Sequence, residues 1–337
     1  MTLFNHTNID QAYELINTYI IKTPLVSNDY INQITGGNIF FKLENLQITG
    51  SFKFRGALHK IKKLIDSIKE NGVVAYSSGN HAQAVAYASQ QNHINAKIVM
   101  PTTAPKIKIN NTKKYGADII FYDPYKEQRE SIAEVLADKE NRTIIQPYDD
   151  HDIIAGQGTA AKEIVSDLES FKIIPDLYLC CCGGGGLIAG TSTYLKNAFP
   201  NIFSYSVEPE DFDDTKNSLE KGEIVSNSPG SQSICDAWLA SQPGKLTFTI
   251  NKSTLQGGLA VSEEEVKKTI ITLAENLKII TEPGGAVAAA AVLHKKIKVQ
   301  NKKVVVMLSG GNIDSEMFTS LKWIHQELYN YKTIFAK

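Results

Sequence analysis

Gly183-Gly184-Gly185-Gly186 is a stretch whose residue types ask for chemistry. Four glycines between a strand-like run and the apolar residues 187–195 let the backbone turn tightly and aim N–H groups at one point, where a helix N-terminus favours an anion. A phosphate is the natural guest; a simple tight turn would need only one glycine. Gly184-Gly185-Gly186-Leu187-Ile188-Ala189 also satisfies the G-x-G-x-x-A dinucleotide pattern, and the next strand ends at Glu208, so a nicotinamide-dependent oxidoreductase stays open. Lys53 points elsewhere. Ser51 reads as an N-cap, which puts Lys53 and Arg55 in a first helical turn, where cations oppose the helix macrodipole. A lysine consumed in a Schiff base, or deprotonated in a dry pocket, escapes that cost; an exposed lysine simply bears it.

Other candidates carry weaker signals. Glu208-Pro209-Glu210-Asp211-Phe212-Asp213-Asp214 offers hard oxygen donors just past a strand, suited to Mg²⁺ or Ca²⁺, or else a solvated acidic loop. Cys180-Cys181-Cys182 invites a metal or redox reading. Adjacent strand residues point to opposite faces, however, and no C-x-x-C partner exists, so these thiols and Cys235 are expected to be small apolar fillers. Arg129, in Glu127-Gln128-Arg129-Glu130, reads by itself as a helix-surface ion pair. Histidines other than His81 show no ligand spacing.

The elements that must position these residues alternate along the 337-residue chain. Residues 73–76, 97–100, 119–122, 143–146, 177–181, 203–207 and 303–308 are short β-branched or aromatic runs bounded by turn residues. Between them apolar residues recur at helical spacing, as in Phe54, Leu58, Ile61 and Ile65, and residues 262–265 form a capping box. Continuous apolar strands separated by helices predict an α/β protein whose parallel sheets carry helices on both faces. Ligands of such sheets bind where strands end, which singles out Ser77-Ser78-Gly79-Asn80-His81, the glycine loop, the acidic loop and Ser309-Gly310-Gly311-Asn312. A chain of this length suits two domains. Its 42% hydrophobic content excludes a disordered chain, and 35 basic against 36 acidic residues leave no field to recruit nucleic acid or an anionic membrane. No signal-like start and no apolar run of spanning length are present, so a cytoplasmic protein is expected.

Gly50-Ser51-Phe52-Lys53-Phe54-Arg55-Gly56-Ala57 resembles the lysine motif of the fold-type II pyridoxal-phosphate enzymes, specifically the serine/threonine dehydratase and serine racemase family. Ser77-Ser78-Gly79-Asn80-His81 resembles their asparagine loop and the four glycines their phosphate loop; Glu282-Pro283 and the Ser309 motif follow in the right order. The resemblance covers residues 23–312 or so, and no C-terminal regulatory domain is expected after it. It implies the two-domain tryptophan-synthase-β-like architecture in a homodimer. Residues 1–67 and 150–337 would form a larger domain that binds pyridoxal 5′-phosphate, and residues 72–149 a smaller one that closes over substrate.

Carried over by position, Lys53 would hold the cofactor aldehyde and act as base, Phe52 would flank the ring, and Asn80 would bond to its 3-oxygen. Gly183, Gly184, Gly185 and Gly186 would hold the phosphate, Glu282 would line the cofactor, and Ser309 would face the pyridine nitrogen. A hydroxyl there, unlike a carboxylate, does not enforce a protonated ring, which favours prompt β-elimination over a long-lived carbanion. Ser77, Ser78, Gly79, Asn80 and His81 would hold the carboxylate of an amino-acid substrate. The implied reaction removes water and ammonia from serine, threonine or threo-3-hydroxyaspartate. Serine racemisation is the alternative, because Ser78, where many threonine dehydratases carry alanine, can exchange a proton opposite Lys53. Arg129 matches an arginine that reaches a second substrate carboxylate in the racemase and hydroxyaspartate dehydratase members. Glu208, the Phe212 carbonyl and Asp214 match a site for Mg²⁺ or Ca²⁺, although Phe212 is bulkier than the usual small residue. Ile48 stands where animal racemases carry a lysine, so nucleotide activation through that position is not expected.

Overall fold

A computed structural model describes residues 4–228, 230, 232–238 and 240–321, and the side chain of residue 238 is outside that description. Ten strands are present among them: β1 (Leu25–Ser27), β2 (Asn38–Leu43), β3 (Val73–Tyr76), β4 (Ala96–Pro101), β5 (Asp118–Tyr122), β6 (Thr143–Ile144), β7 (Leu177–Cys181), β8 (Phe203–Pro209), β9 (Gly257–Val261) and β10 (Lys303–Leu308). They build a six-stranded sheet in the order β1-β2-β10-β7-β8-β9 and a four-stranded sheet in the order β5-β4-β3-β6. Every pairing is parallel except β1 with β2. This is the parallel α/β class that the alternating pattern predicts. No helix among the described residues is long and apolar enough to cross a membrane.

The central strands β3 and β7 are buried at every position, which is why their sequences read as unbroken apolar runs. Three strands escape that signal. β1 is a three-residue edge, β2 carries Lys42 inside its run, and β9 opens on two glycines. β6 stops at Ile144, two residues before the expected end. The capping box stands as expected: Ser262 accepts from the Glu265 N–H while the Glu265 side chain accepts from the Ser262 N–H.

Helix Lys53–Lys63 lies between the sheets. Its apolar stripe, Phe54, Ala57, Leu58 and Ile61, joins Val73, Ala75 and Ile98 in the core beneath the four-stranded sheet, and Ile16 and Ile153 join the same cluster. That core therefore draws on residues outside 72–149. Ser51 does not cap the helix with its hydroxyl, which is buried without a partner. It is extended and bridges Gly310, while Phe52, already helical, donates its N–H to the Ser309 carbonyl at 3.1 Å. Backbone pairing, a tertiary event invisible in local sequence, has replaced the cap.

The opposite flank of the helix holds a cluster of four charges. Arg55 grips Glu44 through Nε and Nη2 at 2.7 and 2.8 Å, and Glu163 through Nη1 and Nη2 at 2.7 and 2.8 Å. Lys42 reaches Glu163 at 2.7 Å and the Thr23 carbonyl at 2.6 Å. All four side chains are 0% exposed in their ion pairs. The forked pairing offsets much of the desolvation cost of both carboxylates, and together they hold Arg55 more firmly protonated than usual. The cluster ties β2 and helix His151–Ser170 to the helix that starts at Lys53.

Replacing Arg55 by methionine should therefore destabilise the protein by about 3–5 kcal/mol, because two buried carboxylates keep one cation. Urea unfolding measures this against Lys22→Met, which breaks a pair whose lysine side chain is 53% exposed and should cost under about 1 kcal/mol. Equal losses would show that the buried cluster is no stronger a tie than a surface pair.

Candidate active site

Lys53 occupies the first position of its helix and faces a cavity between the sheets. Its amine donates to the Pro147 carbonyl at 2.7 Å and lies 5.2 Å from the centre of the Phe52 ring. Burial, reinforced by the like charge of Arg129, lowers the ammonium to about 8. Close to neutrality, then, a useful fraction is free amine, the form that can attack an aldehyde or take a proton.

Behind Lys53 the chain leaves β7 through Cys182 into the four glycines, and helix Gly186–Ala198 starts with no side-chain cap. Gly185 has φ of 89°, the left-handed region that favours glycine. A Cβ on Gly184 would meet the Tyr148 ring at 2.3 Å, so only glycine lets that ring seat there. All four glycines share one recess with Phe52, Lys53 and Tyr148. Uncapped N–H groups and the positive end of a helix suit a phosphate. Cys180, Cys181, Cys182 and Cys235 are buried free thiols, and burial pushes Cys180, Cys182 and Cys235 upward, so they serve as fillers.

The cavity's other wall begins where β3 ends. Ser77 Oγ accepts from the Gly79 N–H at 3.1 Å, and helix Asn80–Gln91 also starts without a side-chain cap, leaving N–H groups for a carboxylate. Ser77, Ser78, Gly79, Asn80 and His81 share this wall with Lys53 and Arg129. His81 donates from Nε2 to the Ile145 carbonyl at 2.9 Å; burial and nearby Lys53 lower its pKa to about 3. It is a neutral ring, so any carboxylate at this position meets its backbone and no imidazolium. Asn80 donates from Nδ2 to Glu282 Oε1 and accepts from Asn312 Nδ2 at 2.8 Å. Glu282 and Ser309 are tied to wall residues: Glu282 accepts from Asn80, and the Ser309 carbonyl accepts from the Phe52 N–H.

Arg129 opens helix Arg129–Glu140 and lies 5.5 Å from the centre of the Tyr76 ring, with Nε donating to Glu130 at 2.8 Å. It is a wall residue and no mere surface ion pair. Four further wall residues, Tyr76, Tyr148, Lys108 and Asp236, have no place in the sequence-derived site. Tyr76 ends β3 and Tyr148 follows β6, so the strand-end rule could have found both. Lys108 and Asp236 carried no signal.

At the end of β8, Glu208 is wholly buried and accepts from the Thr215 and Lys216 N–H groups at 2.9 and 2.8 Å. Asp214 accepts from Asn227 at 2.6 Å through Oδ1, while Oδ2 is buried without a partner. Burial raises Asp214 to about 7, and burial together with Asp214 raises Glu208 well above the usual range. Two carboxylates and one orphaned oxygen fit a hard cation. The Phe212 side chain is buried, and its N–H donates to the Pro209 carbonyl at 3.1 Å. Among the described residues no group of three or more His, Cys, Asp or Glu gathers as a metal site.

These features fit a phosphorylated aldehyde: an amine partly free near neutrality, an uncapped glycine loop, and an asparagine with an N–H to spare. Comparison with known proteins agrees. Residues 16–310 match the pyridoxal-phosphate dependent enzyme family. The chain is 39% identical over 319 residues to serine racemase of Schizosaccharomyces pombe, covering 94% of this chain and 97% of that one. It is 38% identical over 322 residues to L-threo-3-hydroxyaspartate ammonia-lyase of Saccharomyces cerevisiae, covering 95% and 97%. The structure of maize serine racemase superposes with a TM-score of 0.89 at 33% identity, covering 98% of this chain and 100% of that one.

In the cofactor-free protein, labelling of Lys53 by an amine-reactive reagent should rise through pH of about 8. Peptide mass spectrometry across a pH series reads it. A midpoint at the ordinary lysine value of 10.5 would mean the amine is solvated and charged.

Proposed function

The chain belongs to the pyridoxal-phosphate dependent enzyme family, and on that premise we propose that it is an ammonia-lyase. It eliminates water and ammonia from a small β-hydroxy amino acid, leaving a 2-oxo acid. The observation that carries this reading is the partly buried Lys53 amine, sharing one wall with Ser78 and one recess with the glycine loop. When bound, pyridoxal phosphate supplies the electron sink that makes the Cα proton removable. Lys53 anchors it and accepts that proton. The N–H groups of Gly183, Gly184, Gly185 and Gly186 hold its phosphate, Phe52 flanks the ring, Asn80 donates to its 3-oxygen, and Ser309 serves the ring nitrogen. Ser77, Ser78 and the open end of helix Asn80–Gln91 grip the substrate carboxylate. Residues 72–149 act as the closing lobe of a homodimeric, cytoplasmic enzyme, a reading that rests on the family resemblance.

Arg129 supports a substrate with a second carboxylate, threo-3-hydroxyaspartate, since its guanidinium lies on the wall and can fork onto that group. A second reading, serine racemisation, is favoured by one observation: the Ser78 hydroxyl shares the cavity with Lys53. Glu208, Asp214 and the Phe212 carbonyl hold Mg²⁺ or Ca²⁺ in this proposal, supported by the unpartnered Asp214 Oδ2.

Ammonia release from L-serine, L-threonine and threo-3-hydroxyaspartate tests the reading, with Lys53→Ala expected to release none; release by that variant, or by neither protein, would sink it. Arg129→Ala should lose ten- to a hundredfold in kcat/KM on 3-hydroxyaspartate, about 1.5–3 kcal/mol, and much less on serine. Equal losses would assign Arg129 to lobe closure.

Removing divalent ions should lower Tm, and restoring Mg²⁺ or Ca²⁺ at a hundredfold excess over Kd should return about 2.7 kcal/mol. Asp214→Asn should abolish that response. A Tm indifferent to chelator would reduce the site to an acidic loop.

A further inference from the structure

Lys108 is a lysine almost without solvent, its side chain 1% exposed on helix Lys106–Lys114 of the four-stranded half. Its ammonium lies 2.7 Å from Asp236 and 3.0 Å from Glu282, carboxylates carried by distant segments of the chain. Its stem crosses the substrate loop: a Cβ on Gly79 would lie 2.4 Å from Lys108 Cδ. A side chain at the glycine of the Ser77-Ser78-Gly79-Asn80-His81 motif would therefore collide with the Lys108 stem.

Counting hydrogen bonds on the Asn80 amide shows what the lysine is for. An amide has one oxygen and two N–H groups. Its oxygen accepts from Asn312 at 2.8 Å, and one N–H goes to Glu282. One N–H remains, on a residue of the cavity wall. Ionised Glu282 enforces that assignment, because a carboxylate can only accept. Burial and the nearby Asp236 push Glu282 towards the neutral acid, and Lys108 is the cation that opposes them. A protonated Glu282 can donate, and then only the Asn312 Nδ2 bond, itself oriented by the Thr49 carbonyl, keeps the Asn80 oxygen turned from the cavity.

We propose that Lys108 is a positioning residue, which holds Glu282 as an acceptor so that Asn80 presents N–H, and never oxygen, to the ligand in the cavity. This rests on the reading that Asn80 faces the cofactor's 3-oxygen. A phenolate oxygen needs a donor; a flipped amide would repel it.

The test adds pyridoxal phosphate to the wild type and to Lys108→Met, Lys108→Arg, Glu282→Gln and Asn80→Ala. It follows the visible absorption of the bound cofactor, its release rate on dilution, and kcat and KM. Lys108→Met should shift the band and speed release roughly tenfold, the worth of one charge-assisted hydrogen bond. Glu282→Gln should do the same, and the double variant no more, since one orientation is lost once. Lys108→Arg, able to fork between the two carboxylates, should restore the wild-type band. Where Lys108→Met fails to fold, Glu282→Gln carries the test, because Lys108 keeps Asp236. An unchanged band and release rate in both, with Asn80→Ala altered, overturns the role of Lys108 alone. An Asn80→Ala variant that binds like wild type overturns the Asn80 reading and this inference with it.

Discussion

The pairing of Arg55 with Glu44 and Glu163 is the constraint on which the site depends. Residues two apart on a helix point about 200° apart around its axis. Once Arg55 is locked into buried carboxylates on one flank, Lys53 must face the other way, into the cavity. No flexible contact could do this. Lys53 sits at the first helical position, where fraying would otherwise set it free, and Arg55 is anchored by four short bonds to two segments. The cost of burying those charges is thereby spent on direction as well as on stability, and the backbone bridge from Ser51 to Gly310 fixes the remaining degree of freedom.

What the sequence discloses follows the range of the interaction concerned. Strands buried on both faces need apolar residues throughout, so β3, β7 and β10 are legible to the residue. Edge strand β1 and glycine-led β9 owe their pairing to neighbours and leave no such trace. The motif residues of the site are legible because loops at strand ends have few other reasons to carry four glycines or a partly buried lysine. Arg55, Lys42 and Lys108 are the converse. A buried charge is identified by its partner, and Glu163 is separated from Arg55 by 108 residues, Glu282 from Lys108 by 174. In sequence each is an ordinary basic residue on a helix or strand. Tyr148 stands between these cases, two residues past the expected strand end at Gln146 and so within reach of the strand-end rule.

Electrostatically the cavity reconciles two demands that pull apart. It must attract anions, and it must make an amine easier to deprotonate. Both follow from the same source, since the open N-termini of helices Asn80–Gln91 and Gly186–Ala198 bring partial positive charge to one space, joined by Arg129. That field favours a phosphate and a carboxylate, while burial and the Arg129 charge depress Lys53, and burial with the Lys53 charge holds His81 neutral. Fixed dipoles serve better than charged side chains here: a further lysine would bind the phosphate as well, yet could compete for the aldehyde.

The glycine loop also explains why one pattern admits two cofactors. G-x-G-x-x-A describes a backbone able to approach a phosphate and says nothing of what the phosphate is attached to. In a dinucleotide site the acidic residue closing the next strand would be free for a ribose hydroxyl. Here Glu208 is buried, both oxygens cap the start of helix Asp214–Lys221, and Asp214 crowds the same place. Beside the loop lies the Tyr148 ring, seated on Gly184. What remains is a small recess that the four glycines share with Phe52 and Lys53. The discrimination lies in the residues that crowd the loop, and those arrive from three different parts of the chain.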